Sequence, residues 1–192
     1  MSEDNDMPSV AEGLGMTVVE PSSRWESRQR INVKVDRFRE LPEAIRDEPY
    51  PAYASAGALA FDLRALEFLE ENGAESGGIE QRKVAPGMKC WIGTGLRFAL
   101  PTDWGLSIIP RSGLGAKAGL VLANGTGLID SDYRGEVLVC LLNRTGMHHL
   151  IDHGQRIAQA RLVWSPQATF EFTSDLDNTV RDSGGFGSTG SR

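Results

Sequence analysis

The sequence has little cysteine, no long apolar run and no excess of basic residues, and each shortage excludes a class of protein. Its 192 residues include only two cysteines, which excludes a disulfide framework. No apolar stretch approaches the roughly 18 residues that span a bilayer, and the acidic N-terminus lacks an apolar signal region. The net charge of −6 excludes a broad nucleic-acid surface but permits one small anionic ligand. We therefore expect a cytoplasmic protein with two buried free thiols, Cys90 and Cys140.

Short apolar stretches separated by turn residues predict an all-β fold. The chain has 22 glycines, and turn signals occur at Pro86-Gly87, Asn124-Gly125 and 143–146. Alternating or continuous apolar residues indicate strands, and a sandwich, jelly roll or barrel suits so many short ones. The clearest strand candidates are 31–36, 60–65, 91–98, 106–109, 135–142 and 157–164.

Changes in composition divide the chain into three parts. Residues 1–28 are polar and weakly periodic, which predicts a disordered or loosely tethered extension. Residues 29–176 form the predicted β domain, in which 66–82 indicates a short helical or looped insertion. Residues 177–192 form a predicted flexible C-terminal arm.

The last residues combine flexibility with groups that bind nucleotides. The tail from Arg181 to Arg192 is rich in glycine and cannot bury a core. Arg181 offers a planar fork for phosphate oxygens, and Phe186 offers a flat face for a ring. The tail is therefore interpreted as a lid over a nucleotide, with an ordinary disordered terminus as the alternative.

A second phosphate-binding pattern follows the strand 106–109. Pro110-Arg111-Ser112-Gly113 can present an arginine fork, a hydroxyl and free backbone N–H groups at one point. The alternative is a structural turn in which Ser112 caps a helix. Gln159, in a late strand, is a further candidate phosphate donor.

The segment 124–135 carries two carboxylates and a tyrosine between turn residues. Asp130 can orient and deprotonate a water, and the amides from Gly127 to Ile129 can bind the edge of a base. Tyr133 can pack under a sugar. The alternative is a hairpin with solvated acids.

Asp62 lies in an apolar strand, where an unpaired carboxylate is costly. Its partner is expected to be an arginine, a water network or the hydration shell of a metal ion.

In combination and in order, these segments closely resemble the five motifs of the homotrimeric deoxyuridine triphosphatases (dUTPases). The resemblance covers about residue 31 to the end. Ala60 replaces the usual glycine of the first motif, and Asp182 replaces a common glycine of the fifth; neither change removes a chemical group. The counterparts are Leu59–Leu63, Pro110–Gly115, Gly127–Gly135, Gly154–Gln159 and Arg181–Gly190.

The resemblance implies a jelly roll or distorted β-barrel that trimerises, with active sites shared between subunits and closed by the arm of a third chain. It implies hydrolysis of dUTP to dUMP and pyrophosphate, which supplies dUMP for dTMP synthesis and keeps uracil out of DNA. Asp130 would activate the water, and Mg²⁺ would be held by phosphates and by Asp62 through water. The implied substrate-binding residues are Arg111, Ser112, Gly113, Asn124, Gly127, Leu128, Ile129, Tyr133, Gln159, Arg181, Phe186, Gly187, Ser188 and Thr189.

Two alternatives accompany this interpretation. A dCTP deaminase of the same fold would need a catalytic glutamate near a cytosine pocket. A phage-type dUTPase could also act as a regulator that binds a protein through 66–82 or the N-terminal extension.

Overall fold

The computed structural model describes residues 31–70, 80–180 and 182–183, and these residues form an all-β structure. Beside the strands lie one 3-10 helix, Glu43–Ile45, and one π-helical turn, Gly113–Lys117. No helix within the described ranges is long and apolar enough to cross a membrane. The described strands are β1 (Lys34–Arg37), β2 (Phe61–Arg64), β3 (Glu67–Leu69), β4 (Gln81–Val84), β5 (Lys89–Gly93), β6 (Leu96–Ala99), β7 (Trp104–Pro110), β8 (Leu120–Leu122), β9 (Gly127–Ile129), β10 (Leu138–Asn143), β11 (His149–Asp152) and β12 (Arg156–Trp164).

The strands form two four-stranded sheets and two two-stranded ribbons. The sheets have the orders β3-β5-β10-β8 and β2-β12-β7-β9, and the ribbons pair β1 with β6 and β4 with β11. All these pairings are antiparallel. The expected all-β class is therefore confirmed.

A single apolar core holds the sheets together. Its members come from strands of both four-stranded sheets and from the ribbons, as alternation in half-buried strands requires. Burial of such side chains is the main favourable term in folding. The largest fully buried apolar side chains are Phe68, Leu63, Ile92, Leu96, Leu106, Leu141, Ile151, Ile157, Val137 and Val139.

All six predicted strands overlap observed ones; five of them each overlap one strand, but the stretch 91–98 overlaps two, β5 and β6. The chain breaks at Thr94 and Gly95 because Gly95 has a φ of +70°, which an extended strand cannot contain. The Thr94 hydroxyl donates to the carbonyl of Val137 at 2.7 Å. The break therefore creates a corner that binds the chain after Tyr133.

The segment 66–82 differs from the helical or looped form that the sequence suggested. Its first part is β3, which pairs with β5 and buries Phe68, and its end enters β4. Glutamates around Phe68 favoured a helix, but pairing with an existing strand decides the local structure. Residues 71–79 of this segment, and the predicted N-terminal extension 1–28, lie outside the described residues.

Both cysteines are buried free thiols, as expected. Cys90 lies opposite Leu141 and Cys140 opposite Trp91, so the two thiols project from opposite faces of their sheet. Burial raises the pKa of Cys90 to about 11 and also raises the pKa of Cys140. Both thiols are therefore protonated and weakly nucleophilic at neutral pH.

Candidate functional site

Asp62 is the centre of a charged cluster on the β2–β12 pair. Its Oδ1 accepts a hydrogen bond from Arg111 Nε at 3.0 Å and one from Gln159 Nε2 at 3.4 Å. Its Oδ2 lies 3.4 Å from Arg156 Nη1. Of the three possible partners of Asp62, an arginine is present, and three predicted site residues meet in one place. With two guanidinium groups and one carboxylate, the cluster has a net positive charge and suits phosphate oxygens.

Arg156 was not selected from the sequence, and a bulge explains its position. Arg156 lies opposite Arg64, whereas Ala158 lies opposite Leu63. The extra residue, Ile157, is fully buried in the core. Such a bulge re-aims the neighbouring side chain, which here directs Arg156 towards the carboxylate of the cluster. The signal in the sequence was a basic residue at the start of a strand whose next residue is apolar.

The chain after β7 turns beside this cluster. Arg111 Nη1 donates to the carbonyl of Arg156 at 3.1 Å, and the π-helical turn begins two residues later. Ser112 precedes this turn and makes no side-chain capping bond, so the capping alternative is wrong. A Cβ built on Gly113 meets no atom within 4 Å. Ser112 and Gly113 therefore border open space next to the arginines.

The hairpin expected around 124–135 is wrong, because β8 pairs with β10 and β9 pairs with β7 in a different sheet. A pocket of about 300 Å³ lies beside the β8–β9 connection. Asn124 begins its turn, and Gly125 adopts a φ of +71°. Gly127 is required for close packing, because a Cβ there would lie 3.1 Å from Ile108 Cβ. The predicted base-binding residues that line the pocket are Asn124, Gly127, Leu128 and Ile129.

This pocket suits a flat, hydrogen-bonding ring. β9 is the last strand of its sheet, so one edge of its backbone has no strand partner among the described residues. N–H and C=O groups of such an edge can pair with the donors and acceptors of a base as they would with another strand. The Asn124 amide lies close to the same strand, since Nδ2 is 3.6 Å from a Cβ built on Gly127.

Asp130 follows β9 directly and lines a second cavity of about 570 Å³. Leu128 lines both cavities, so the carboxylate and the base-sized pocket are neighbours along β9. Asp130 is exposed, and its backbone carbonyl accepts the amide of Tyr133 at 3.2 Å. An exposed carboxylate next to an open cavity can reach a water molecule and take its proton.

Tyr133 lies folded over the turn that follows Asp130. Its hydroxyl donates to the carbonyl of Glu136 at 3.1 Å, and a Cβ on Gly135 would overlap its ring. The side chain is 43% exposed, so a face of the ring is open to a ligand. The described chain thus holds Tyr133 close to Asp130, as the interpretation requires.

Within one chain the charged cluster lies far from Asp130. In the strand register, Asp130 follows Ile129 and so lies opposite Gly105 of β7. Asp62 of β2 lies opposite Gln159 of β12, which in turn lies opposite Ile109 of β7. The two residues are therefore offset by four positions along the strand direction, about 13 Å, and by three strand spacings across the sheet, about 14 Å. Together these offsets separate the backbones of Asp130 and Asp62 by about 19 Å. A single chain therefore does not bring its predicted phosphate-binding and catalytic residues together.

The described part of the C-terminal segment leaves the body of the protein. Residues 165–180 form no strand, and their four large apolar side chains are 80–109% exposed. These side chains are Phe170, Phe172, Leu176 and Val180. The tail residues predicted to close the site, Arg181, Phe186, Gly187, Ser188 and Thr189, lie outside the described residues.

Comparison with known proteins gives a consistent result. A family model described as dUTPase matches residues 79–190. The deoxyuridine 5'-triphosphate nucleotidohydrolase of Caulobacter vibrioides is 41% identical over 148 residues, covering 77% of this chain and 90% of that protein. The enzyme of the same name from Hahella chejuensis is 44% identical over 168 residues, covering 86% and 99%.

A solved structure shows the same fold at low sequence identity. A mutant dUTPase of Staphylococcus bacteriophage 80alpha, determined with dUpNHpp, superposes with a TM-score of 0.63 at 19% identity. The superposition covers 83% of this chain and 98% of the phage protein. The dUTPase-like all-β fold implied by the sequence is therefore confirmed. Together, the match to the family model and the identity to these relatives place this chain in the dUTPase family, the enzymes that hydrolyse dUTP.

Proposed function

We propose that the chain hydrolyses dUTP to dUMP and pyrophosphate, with Asp130 activating the water that attacks the α-phosphorus. The observation that supports this most strongly is the position of Asp130, an exposed carboxylate one residue beyond the strand that lines a base-sized pocket. The water adds to phosphorus as the bond to the leaving pyrophosphate breaks. Asp130 takes the proton of the water and later releases it to solvent.

The segment 124–133 supplies selection for the base and the sugar. Asn124 and the backbone from Gly127 to Ile129 bind uracil through its hydrogen-bonding edge. Tyr133 packs against deoxyribose, where a ribose 2′-hydroxyl would collide with the ring. Polar groups that are left unpaired by a wrong base make such a site selective.

The charged cluster supplies phosphate binding. Asp62 contacts one donor group of each of three side chains, Arg111, Arg156 and Gln159. The other N–H groups of these side chains can donate hydrogen bonds to phosphate oxygens. Ser112 and Gly113 border the same open space. Positive charge fixed in advance near the phosphates stabilises the charge that develops on pyrophosphate.

Asp62 also fits a magnesium ion held indirectly. No group of three or more metal-binding side chains occurs among the residues that the structure describes, and Mg²⁺ commonly keeps several waters and binds substrate phosphates. One carboxylate beside a phosphate-binding cluster suits contact through such waters. When bound, the ion offsets negative charge on the phosphate oxygens.

We further propose that each site is assembled from several chains of a homotrimer. Asp130 has to hold the water beside a phosphate chain that the cluster binds, and within one chain Asp130 and the cluster are about 19 Å apart. Asp130 and the segment 124–133 of one chain then face the Asp62 cluster of a second. The exposed segment 165–180 has the apolar side chains needed to pack on another chain, and it carries the arm 181–192 to the site of a third.

The deaminase alternative receives no support. Within the part of the chain that the structure describes, no glutamate lines the base-sized pocket or the cavity beside Asp130. The matched family and relatives are dUTPases. Binding of a regulatory protein through 66–82 or the N-terminal extension stays a prediction.

A pyrophosphate-release assay with dUTP, dCTP, dTTP and UTP tests the proposed function. We expect strong preference for dUTP, up to about 10⁴-fold, because the pocket binds the base edge and Tyr133 screens the sugar. Release of ammonia from dCTP without pyrophosphate from dUTP would contradict the proposal.

A further inference from the structure

The position of Tyr133 depends on the residues that follow it. The ring covers Gly135, and its hydroxyl is bonded to the backbone carbonyl of Glu136. Arg134 Nη1 closes the same turn by donating to the carbonyls of Ser131 at 2.7 Å and Tyr133 at 2.9 Å. The backbone at Glu136 therefore decides where the tyrosine ring lies.

The side chain of Glu136 points away from Tyr133 into a narrow polar slot. Its Oε1 accepts the amide of Gly95 at 2.7 Å and Arg39 Nε at 3.1 Å, and its Oε2 accepts Arg39 Nη2 at 3.2 Å. Two glycines make room for this pair. A Cβ on Gly93 would lie 2.6 Å from Glu136 Oε1, and one on Gly95 would lie 2.8 Å from Arg39 Cβ.

The ion pair between Arg39 and Glu136 is of a type that is stronger than an ordinary neutral hydrogen bond. It is bidentate and charge-assisted, and the Glu136 side chain is 13% exposed and that of Arg39 17%. The next residue is fixed to the same corner, because Val137 donates its amide to Leu96 O at 2.9 Å and accepts the Thr94 hydroxyl. The turn carrying Asp130 and Tyr133 is thus anchored at its far end by buried contacts.

We infer that Glu136, held by Arg39 and the amide of Gly95, is the positioning residue that sets the Tyr133 ring and so selects deoxyribose over ribose substrates. The inference rests on the proposed function, in which Tyr133 meets the sugar. Glu136 itself touches no substrate in this account.

The chain offers a matched control for Glu136. Glu67 also pairs with Arg39, through Oε2 at 3.5 Å from Nη1, and its side chain is 16% exposed. It makes no hydrogen bond to the turn 130–137 among the described contacts. Glu67→Gln and Glu136→Gln therefore remove the same charge at similar burial from the same arginine, but only one of them affects the anchor of Tyr133.

The experiment measures kcat/KM for dUTP, UTP and dCTP in the full-length wild type and in these variants. In Glu136→Gln we expect the preference for dUTP over UTP to fall about tenfold or more, since the fit of one small substrate group against a side chain is worth about 10–200-fold in discrimination. Preference for dUTP over dCTP should stay unchanged, because the groups that hold the Glu136 side chain, Arg39 and the Gly95 amide, do not line the base pocket. Glu67→Gln should keep both ratios.

A merely structural role of Glu136 would lower activity on all substrates and leave both ratios as in the wild type, and that result overturns the inference. If Glu136→Gln does not fold, Arg39→Lys decides in the same assay, since it keeps the charge but loses the bidentate fork. Tyr133→Ala tests separately whether Tyr133 excludes ribose, which the proposed function requires, and whether Glu136 positions Tyr133, which is the inference. If the wild type prefers dUTP and Tyr133→Ala loses sugar preference while Glu136→Gln keeps it, the inference fails and the proposed function stands. A wild type without dUTP hydrolysis overturns both.

Discussion

Asp130→Asn is expected to lower kcat for dUTP by about 10²–10⁴-fold and to leave the affinity for a non-hydrolysable dUTP analogue close to that of the wild type. The amide keeps the shape of the side chain but cannot take a proton from water. Asp130 is exposed at the cavity, so the substitution leaves no unpaired group in the core. Steady-state kinetics and calorimetric titration of the analogue measure the two quantities.

Asp132→Asn is the matched control, because Asp132 lines the same cavity and is likewise exposed. It should retain activity close to that of the wild type. Asp130→Asn with turnover within about threefold of the wild type would remove Asp130 from the mechanism, since the loss of a general base costs far more.

Deletion of residues 181–192 should lower kcat/KM by about 10²-fold or more while the melting temperature changes little. The segment before the deletion, 165–180, is exposed and forms no strand, so the core does not depend on the chain beyond it. The deleted residues include the arginine, the phenylalanine and the Ser-Thr pair proposed to close over the nucleotide, and closing a site excludes water and orients the substrate.

Thermal unfolding, size-exclusion chromatography and kinetics on the truncated chain test this together. Phe186→Ala in the full-length chain separates the ring from the rest of the arm and should give part of the loss. A truncated protein that unfolds, or one that keeps full activity, is incompatible with a lid.

Much of the fold was predictable because its signals are local. Apolar alternation marked β1, β2, β7, β10 and β12, and asparagine followed by glycine marked the β8–β9 turn. The break at Gly95 and the strand Glu67–Leu69 were missed, because each depends on a partner distant in sequence. A glycine inside an apolar stretch is compatible with a strand until the opposing chain is known.

Some residues of the site were likewise predictable from local motifs, and others depend on partners distant in sequence. Asp62, Arg111 and Gln159 were selected from motifs, and their meeting confirms that an ion pair holds Asp62. Arg156 was missed because a bulge decides which way it faces. Glu136 was missed because its partner, Arg39, is 97 residues away in sequence and only the folded chain brings them together. No local pattern encodes such a contact.

Mixing two inactive variants tests the central claim, that each active site is shared between chains. Asp130→Asn alters one end of the separation of about 19 Å, and Arg111→Ala removes a hydrogen-bond partner of Asp62 at the other end. Each variant refolded alone should be nearly inactive. After the two proteins are unfolded and refolded together, some sites should combine the intact Asp130 of one chain with the intact Arg111 of another.

The control is the double variant Asp130→Asn/Arg111→Ala refolded alone, which contains no intact pair of groups, and mass spectrometry verifies the exchange of subunits. We predict dUTP hydrolysis above the sum of the separately refolded single variants, with the greatest excess near an equal mixture. Activity that equals that sum at every ratio, with exchange verified, would show that each site uses the Asp130 and Arg111 of the same chain and would contradict the account.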